Sequence, residues 1–283
     1  MNNIKNKIGC LGPEGTFSEE ATLSFLKKNN IKADVVLYSS IGEVIDGLKN
    51  KKIEMAVVPI ENSIEGVVNS ALDRIIDEVK SGNSFQIIAE IKMKIIQNLI
   101  GLQGAKTNEI KNIYSHLQPL AQCEDFIKNM KSRPTTYPEK STSDGARIIS
   151  ELKNTQNAVI GSKKLAEIYK LKILKEKINS QENNTTRFVI FGKKPLSKNR
   201  DKTSLIFGLK DKPGALLRVL EVFDVFNINM THISSRPTKN SLGEYVFFVE
   251  LNNCREDKLP SALKLLEEKV SFLKNLGSYE EKP

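Results

Sequence analysis

Residues 1–192 alternate short apolar runs with stretches of helical period. Lys7–Leu11, Val35–Tyr38 and Ile53–Val58 read as strands, each followed by a segment with apolar residues three and four apart. Those segments predict helices over Glu19–Lys28, Ile41–Lys49 and Val67–Val79; in the last, Val68, Leu72, Ile75, Ile76 and Val79 share one face. Phe85–Asn98 holds strands with no helix between them, and the apolar pattern continues through Leu102, which marks a crossing into a second lobe. Ile113–Cys123 is a strand turning into a helix, Ser141–Ile149 a polar strand end leading into another, and Ala158–Gly161 a strand before a helix over Lys163–Tyr169. Strands alternating with helices predict an α/β domain with a mostly parallel sheet.

Residues 193–202 are rich in charge and turn formers and read as a linker. Beyond them the order changes. Thr203–Lys210 is a strand, Ala215–Phe226 an amphipathic helix, Ile228–Ser235 and Glu244–Leu251 two strands, Leu259–Lys269 a helix and Phe272–Tyr279 a final strand. That order, βαββαβ, is the ferredoxin-like split unit.

The polar residues of the first domain cluster where strands end, which in open α/β sheets is where ligands bind. Gly12–Ser18 is a glycine turn entering a helix, with Thr16 and Glu19 at capping-box spacing. It lacks the Lys-Ser/Thr ending of a phosphate loop. Asn183-Asn184-Thr185-Thr186-Arg187-Phe188 leads from a polar loop into the strand Val189–Gly192. There Arg187 offers a planar fork that fits a carboxylate, Thr186 a hydroxyl, and Phe188 a wall against water. Taken alone, the hexapeptide reads more simply as an exposed loop arginine beside a core phenylalanine.

Composition narrows the possibilities. The formal charge is +9, yet the lysines are spread along the chain and there is no Trp, which does not argue for nucleic acid. No apolar run approaches the roughly 20 residues of a membrane span. The N-terminus shows no secretory apolar segment, so a cytoplasmic protein is expected. Cys10, Cys123 and Cys254 lie far apart, and the chain holds two histidines, so reduced thiols and no metal site are expected.

Five segments taken together resemble the prephenate dehydratase family: Gly12–Ser18; Pro59-Ile60-Glu61-Asn62-Ser63 with Glu65-Gly66; Ser115-His116 with Gln118 and Gln122-Cys123; Ser141-Thr142 with Ala146; and Asn184 with Thr186-Arg187-Phe188. The C-terminal part resembles an ACT regulatory domain, carrying Gly214-Ala215-Leu216 and Ser235-Arg236-Pro237. The resemblance implies a catalytic domain (1–192) of two α/β lobes similar to type II periplasmic binding proteins, with the site between them. Lobe one would take about 1–84 and 162–192, lobe two about 85–161, and the ACT domain 203–283. The implied reaction turns prephenate into phenylpyruvate, water and carbon dioxide, with no cofactor or metal. Thr186 would stabilise the departing oxygen and Arg187 would clamp a carboxylate. Thr16, Asn62, Ser63, Ser115, Gln118, Ser141, Thr142 and Phe188 would hold the substrate. Phenylalanine would bind Gly214, Ala215, Leu216, Asn229, Ser234 and Arg236 between two ACT domains, in a homodimer or homotetramer. Ser234 stands where the family usually has Glu, Leu117 where Pro is usual, and Ser180 where Asp is common. No chorismate mutase segment is seen, so a monofunctional enzyme is expected. The alternatives are an arogenate dehydratase and a non-catalytic amino-acid sensor.

Overall fold

The computed structural model describes residues 6–83, 85–238, 244–252 and 258–281. The first lobe opens with β1 (Lys7–Leu11), α1 (Phe17–Lys28), β2 (Asp34–Tyr38), α2 (Ile41–Lys49), β3 (Met55–Asn62), β4 (Gly66–Val67), α3 (Asn69–Lys80) and β5 (Gln86–Lys94). The chain then crosses to β6 (Asn98–Gly101), β7 (Asn112–His116), α4 (Leu117–Gln122), α5 (Glu124–Lys128), β8 (Thr135–Glu139), α6 (Thr142–Leu152), β9 (Asn157–Gly161), α7 (Lys163–Ile168) and β10 (Lys172–Lys175). It returns through β11 (Thr185–Gly192).

The first sheet has the order β2-β1-β3-β11-β5 with β4 beside β3, and the second β10-β6-β9-β7-β8. The lobes are therefore cut differently from the sequence expectation. β5 belongs to lobe one and pairs with β11, whereas α7 and β10 belong to lobe two. Nor are the sheets mostly parallel. β11 runs antiparallel to both neighbours, as β6 does to β9 and β10. A chain that leaves a lobe along one edge and returns along another inserts reversed strands, and an apolar run does not reveal its partner.

Each crossing segment holds the other. Ile95 N–H donates to the Asn184 carbonyl, Ile178 N–H to the Gln97 carbonyl, and Gln97 N–H to Asn179 Oδ1.

β12 (Lys202–Leu209), α8 (Ala215–Val225), β13 (Asn229–Pro237), β14 (Tyr245–Asn252), α9 (Leu259–Glu267) and β15 (Phe272–Tyr279) form the third unit. Its sheet order β13-β14-β12-β15 is the ferredoxin-like arrangement predicted. One face packs on α8 and α9 through Phe207, Val219, Val249 and Leu266. The opposite face contributes Ile206, Val246, Phe248, Leu276 and Tyr279 to the core of lobe one. The two sheets approach so closely that a Cβ on Gly277, whose φ is +129°, would lie 2.5 Å from the Ile87 carbonyl oxygen. Among the described residues no helix is long and apolar enough to cross a membrane.

Candidate active site

Between the lobes lies a cavity of about 320 Å³. Leu11, Phe17, Ser18, Ile41, Pro59, Asn62, Thr186 and Phe188 line it from lobe one, and Gln118, Pro119 and Gln122 from α4 of lobe two. Ile95 and Gln97, on the outgoing crossing, complete the wall. The lobes meet around it. Glu65 accepts from Gln118 Nε2 at 2.5 Å and from Gln122 Nε2 at 2.9 Å. Ser143 Oγ donates to the Glu14 carbonyl at 2.6 Å. Gly15, with φ +87°, lets this loop touch lobe two: a Cβ there would meet Leu165 Cδ1 at 3.0 Å.

Asn62 and Thr186 are opposite one another on β3 and β11. Asn62 is buried, and its side-chain oxygen accepts from Ile64 N–H at 2.9 Å and Glu65 N–H at 3.1 Å. Backbone donors thus decide which way the amide points, and its NH₂ faces β11. One proton goes to Asn184 Oδ1 at 2.7 Å and the other to Thr186 Oγ1 at 2.9 Å. A hydroxyl has one proton and two lone pairs; with a lone pair taken by Asn62, the Thr186 proton is left for the cavity.

Arg187 requires a correction. Successive side chains of a strand point to opposite faces, so Thr186 and Phe188 face the cavity while Arg187 faces the sheet of the third unit. Its Nε and Nη2 donate to Glu61 Oε2 at 3.1 Å each, its Nη1 to Glu90 at 3.2 Å, and Nη1 and Nη2 to Glu250 at 2.8 Å each. All five N–H donors are committed. Lys202 joins Glu90 at 3.0 Å and Glu250 at 3.5 Å, and His232 Nδ1 lies 3.8 Å from Glu61. Burial by itself would lower the arginine's pKa, but Glu250 and Glu90 beside it hold it above the ordinary value. For Glu250, burial works to raise the carboxyl's pKa and is outweighed by Arg187 and Lys202, which bring it below the usual range. Arg187 is thus a buried tie to the ACT domain, not a clamp in the cavity.

Of the other predicted substrate contacts, Asn62, Gln118 and Phe188 line the cavity. Thr16 caps α1: it accepts from Glu19 N–H at 3.3 Å and donates to the Leu11 carbonyl at 2.9 Å, while Glu19 accepts from Gly15 N–H at 2.7 Å. This presents Phe17 and Ser18 to the cavity. Ser63 is bound to Asn183 and Thr185, holding the turn after β3 against the start of β11. Ser115 is fully buried and donates to the Ile160 carbonyl at 2.7 Å, joining lobe-two strands. Ser141 caps α6 and donates to Asp144 at 2.7 Å, with Thr142 opening that helix. The hydroxyls of Ser63, Ser115 and Ser141 are therefore occupied outside the cavity lining. Glu65 and Gln122, which belong to two of the five segments but carry no expected substrate contact, also line the cavity, as does Gln97, which no segment includes. Gln122 follows Gln118 by four residues, a helix-face spacing that would have exposed it.

The predicted phenylalanine contacts do not gather within one chain. Gly214, with φ +74°, precedes α8, which begins with Ala215 and Leu216, and Asn229 is exposed at the start of β13. Ser234 and Arg236 pair in register with Phe248 and Val246, on the face turned to lobe one, where Arg236 lies 3.3 Å from Asp73 of α3.

Two α/β lobes around a cavity, with a ferredoxin-like unit docked on lobe one, define a two-lobed α/β protein with an appended domain. The family model described as prephenate dehydratase matches residues 8–196 and that of the ACT domain residues 203–268. The prephenate dehydratase of Methanocaldococcus jannaschii is 41% identical over 271 residues, 94% of this chain and 95% of that protein. The bifunctional chorismate mutase/prephenate dehydratase of Aquifex aeolicus is 37% identical over 97% of this chain and 74% of its own length. Among solved structures, the prephenate dehydratase of Arthrobacter aurescens in complex with L-Phe superposes with a TM-score of 0.86 at 28% identity, covering 97% of this chain and 90% of that one. The chain belongs to the prephenate dehydratase family and carries a C-terminal ACT domain.

Proposed function

We propose that the inter-lobe cavity converts prephenate to phenylpyruvate, with Thr186 as the hydrogen-bond donor to the departing hydroxyl. The observation that carries this is the Asn62 amide donating into Thr186 Oγ1, which leaves the hydroxyl proton for the substrate. In the reaction the C4–O bond breaks, and the C1 carboxylate leaves as carbon dioxide, giving its bonding electrons to the ring. One proton is consumed, and the products are phenylpyruvate, water and carbon dioxide. The ring becomes aromatic, so the protein's task is to stabilise charge on the leaving oxygen.

Among the described residues, those lining the cavity include no lysine or arginine. The substrate's carboxylates are then met by N–H groups, those at the start of α1 and the amides of Gln118 and Gln122. The two amides already surround a carboxylate, that of Glu65. Burial of the ring carboxylate between the lobes would favour loss of its charge.

The chain carries dehydratase activity alone and is a dimer or dimer of dimers joined through its ACT domains. Phenylalanine binds at that junction near Gly214–Leu216 and Asn229, in keeping with the L-Phe complex of the Arthrobacter relative. The Glu65 carboxylate would also suit the ammonium of arogenate, so both substrates belong in the test. Purified protein is given prephenate or arogenate, with and without phenylalanine, while products and molecular mass are measured. Rapid phenylpyruvate formation, slowed by phenylalanine, is expected; turnover of arogenate alone would overturn the substrate, and indifference to phenylalanine would overturn the regulation.

A further inference from the structure

Gln97 sits on the outgoing crossing, is 1% exposed and lines the cavity. Its side-chain orientation follows from its neighbours. The Glu65 carboxylate can only accept, so Gln122 turns its Nε2 towards it at 2.9 Å. Gln122 Oε1 is thereby turned to Gln97, which must present its own Nε2, at 3.2 Å. This leaves Gln97 Oε1 as the free end of the chain of amides, and it is a buried acceptor with no hydrogen-bond partner among the described residues. A buried polar atom left unpaired is costly, and because Gln97 lines the cavity a small shift of its side chain would bring Oε1 within reach of a ligand's donor.

Prephenate offers one donor. Its two carboxylates and its ketone only accept, and its C4 hydroxyl alone carries a proton to give. We propose that Gln97 Oε1 accepts the hydrogen bond of that hydroxyl. The inference rests on the reading of Thr186 above and completes it. A hydroxyl that donates to Gln97 turns a lone pair to Thr186, so the leaving oxygen is held in the orientation that Thr186 requires. Gln97 selects a hydroxylated ring over its aromatic product, because phenylpyruvate has no group to place there.

The test compares Gln97→Met, which keeps length and removes the acceptor, with the intact enzyme. For prephenate, kcat/KM is expected to fall about 10- to 100-fold, the range for leaving one buried hydrogen-bonding partner unmatched. Phenylpyruvate, used as a competitive inhibitor, should bind Gln97→Met within about twofold of the intact enzyme, since it never used the acceptor. Unchanged kcat/KM in Gln97→Met overturns the proposal, as does an equal loss of phenylpyruvate affinity, which would mark a structural role. A loss confined to arogenate would move the contact to an ammonium and overturn it likewise. The Thr186 reading is tested separately: if Thr186→Val loses turnover while Gln97→Met does not, only the Gln97 contact falls.

Discussion

At the scale of single residues, the chemistry of Thr186 is set by Asn62. The amide is nearly the shape of an aspartate, and Asn62→Asp replaces the donor to Thr186 Oγ1 with an acceptor. The hydroxyl proton would then turn to the new carboxylate. We expect kcat to fall about 10²-fold, the order seen when one donor to a developing negative oxygen is lost; steady-state kinetics on prephenate check it. Cys10 and Cys123, both buried, are a second case. Burial, the largest influence on each, raises Cys10 to about 11 and Cys123 to about 12. At pH 8 neither is a thiolate, so alkylation located by mass spectrometry should reach them only on unfolding. How much of this was legible differs residue by residue. Thr186 and Asn62 announced themselves as polar groups beside buried strands. Arg187 did too, but its neighbours in the sequence said nothing of its partners, which lie 126, 97 and 63 residues away. The strand period of two was the available warning, because a Thr-Arg pair inside a strand cannot face one cavity together.

At the scale of elements, the Thr16 cap of α1 was readable, whereas the end of β3, which runs past Pro59 to Asn62, and the strand pairings were not. The Thr16 cap and the start of α1 follow from local hydrogen bonds, and the structure places them one residue apart, as a capping pattern requires. The membership of β5 and β10 follows from pairings across the crossing, which no local pattern encodes. The Glu65 loop meets α4 beside the cavity. Glu65→Ala removes both amide contacts at an exposed seam. It should raise KM for prephenate several-fold and change unfolding free energy by no more than about 1 kcal/mol, the usual worth of exposed polar pairs. Denaturant titration beside kinetics distinguishes this from general damage, and a loss of stability without change in KM would contradict it.

At the scale of the whole molecule, the ACT sheet and lobe one share a core and, within it, a cluster of Glu61, Glu90, Glu250, Arg187 and Lys202. Arg187→Leu leaves buried carboxylates without their main cation and should lower stability by about 3–5 kcal/mol. The pH dependence follows from Glu250. Its folded pKa lies below the unfolded value of about 4.3, so its contribution is present above that pH and is lost as the pH falls through the folded value. Acid titration should therefore show a loss of stability below about pH 4 that is smaller in Glu250→Gln. Because Arg187 adjoins Thr186 on β11 and binds Glu250 of β14, the ACT sheet is one residue from the proposed donor.

The central claim is that the Thr186 hydroxyl, held by Asn62, assists departure of the ring oxygen. Thr186→Val keeps the shape and removes only the hydroxyl, so the direct measurement is its kcat on prephenate together with its affinity for phenylpyruvate. The account predicts a fall in kcat of about 10²-fold or more with product affinity retained. A valine variant that turns over prephenate at a near-normal rate would contradict it.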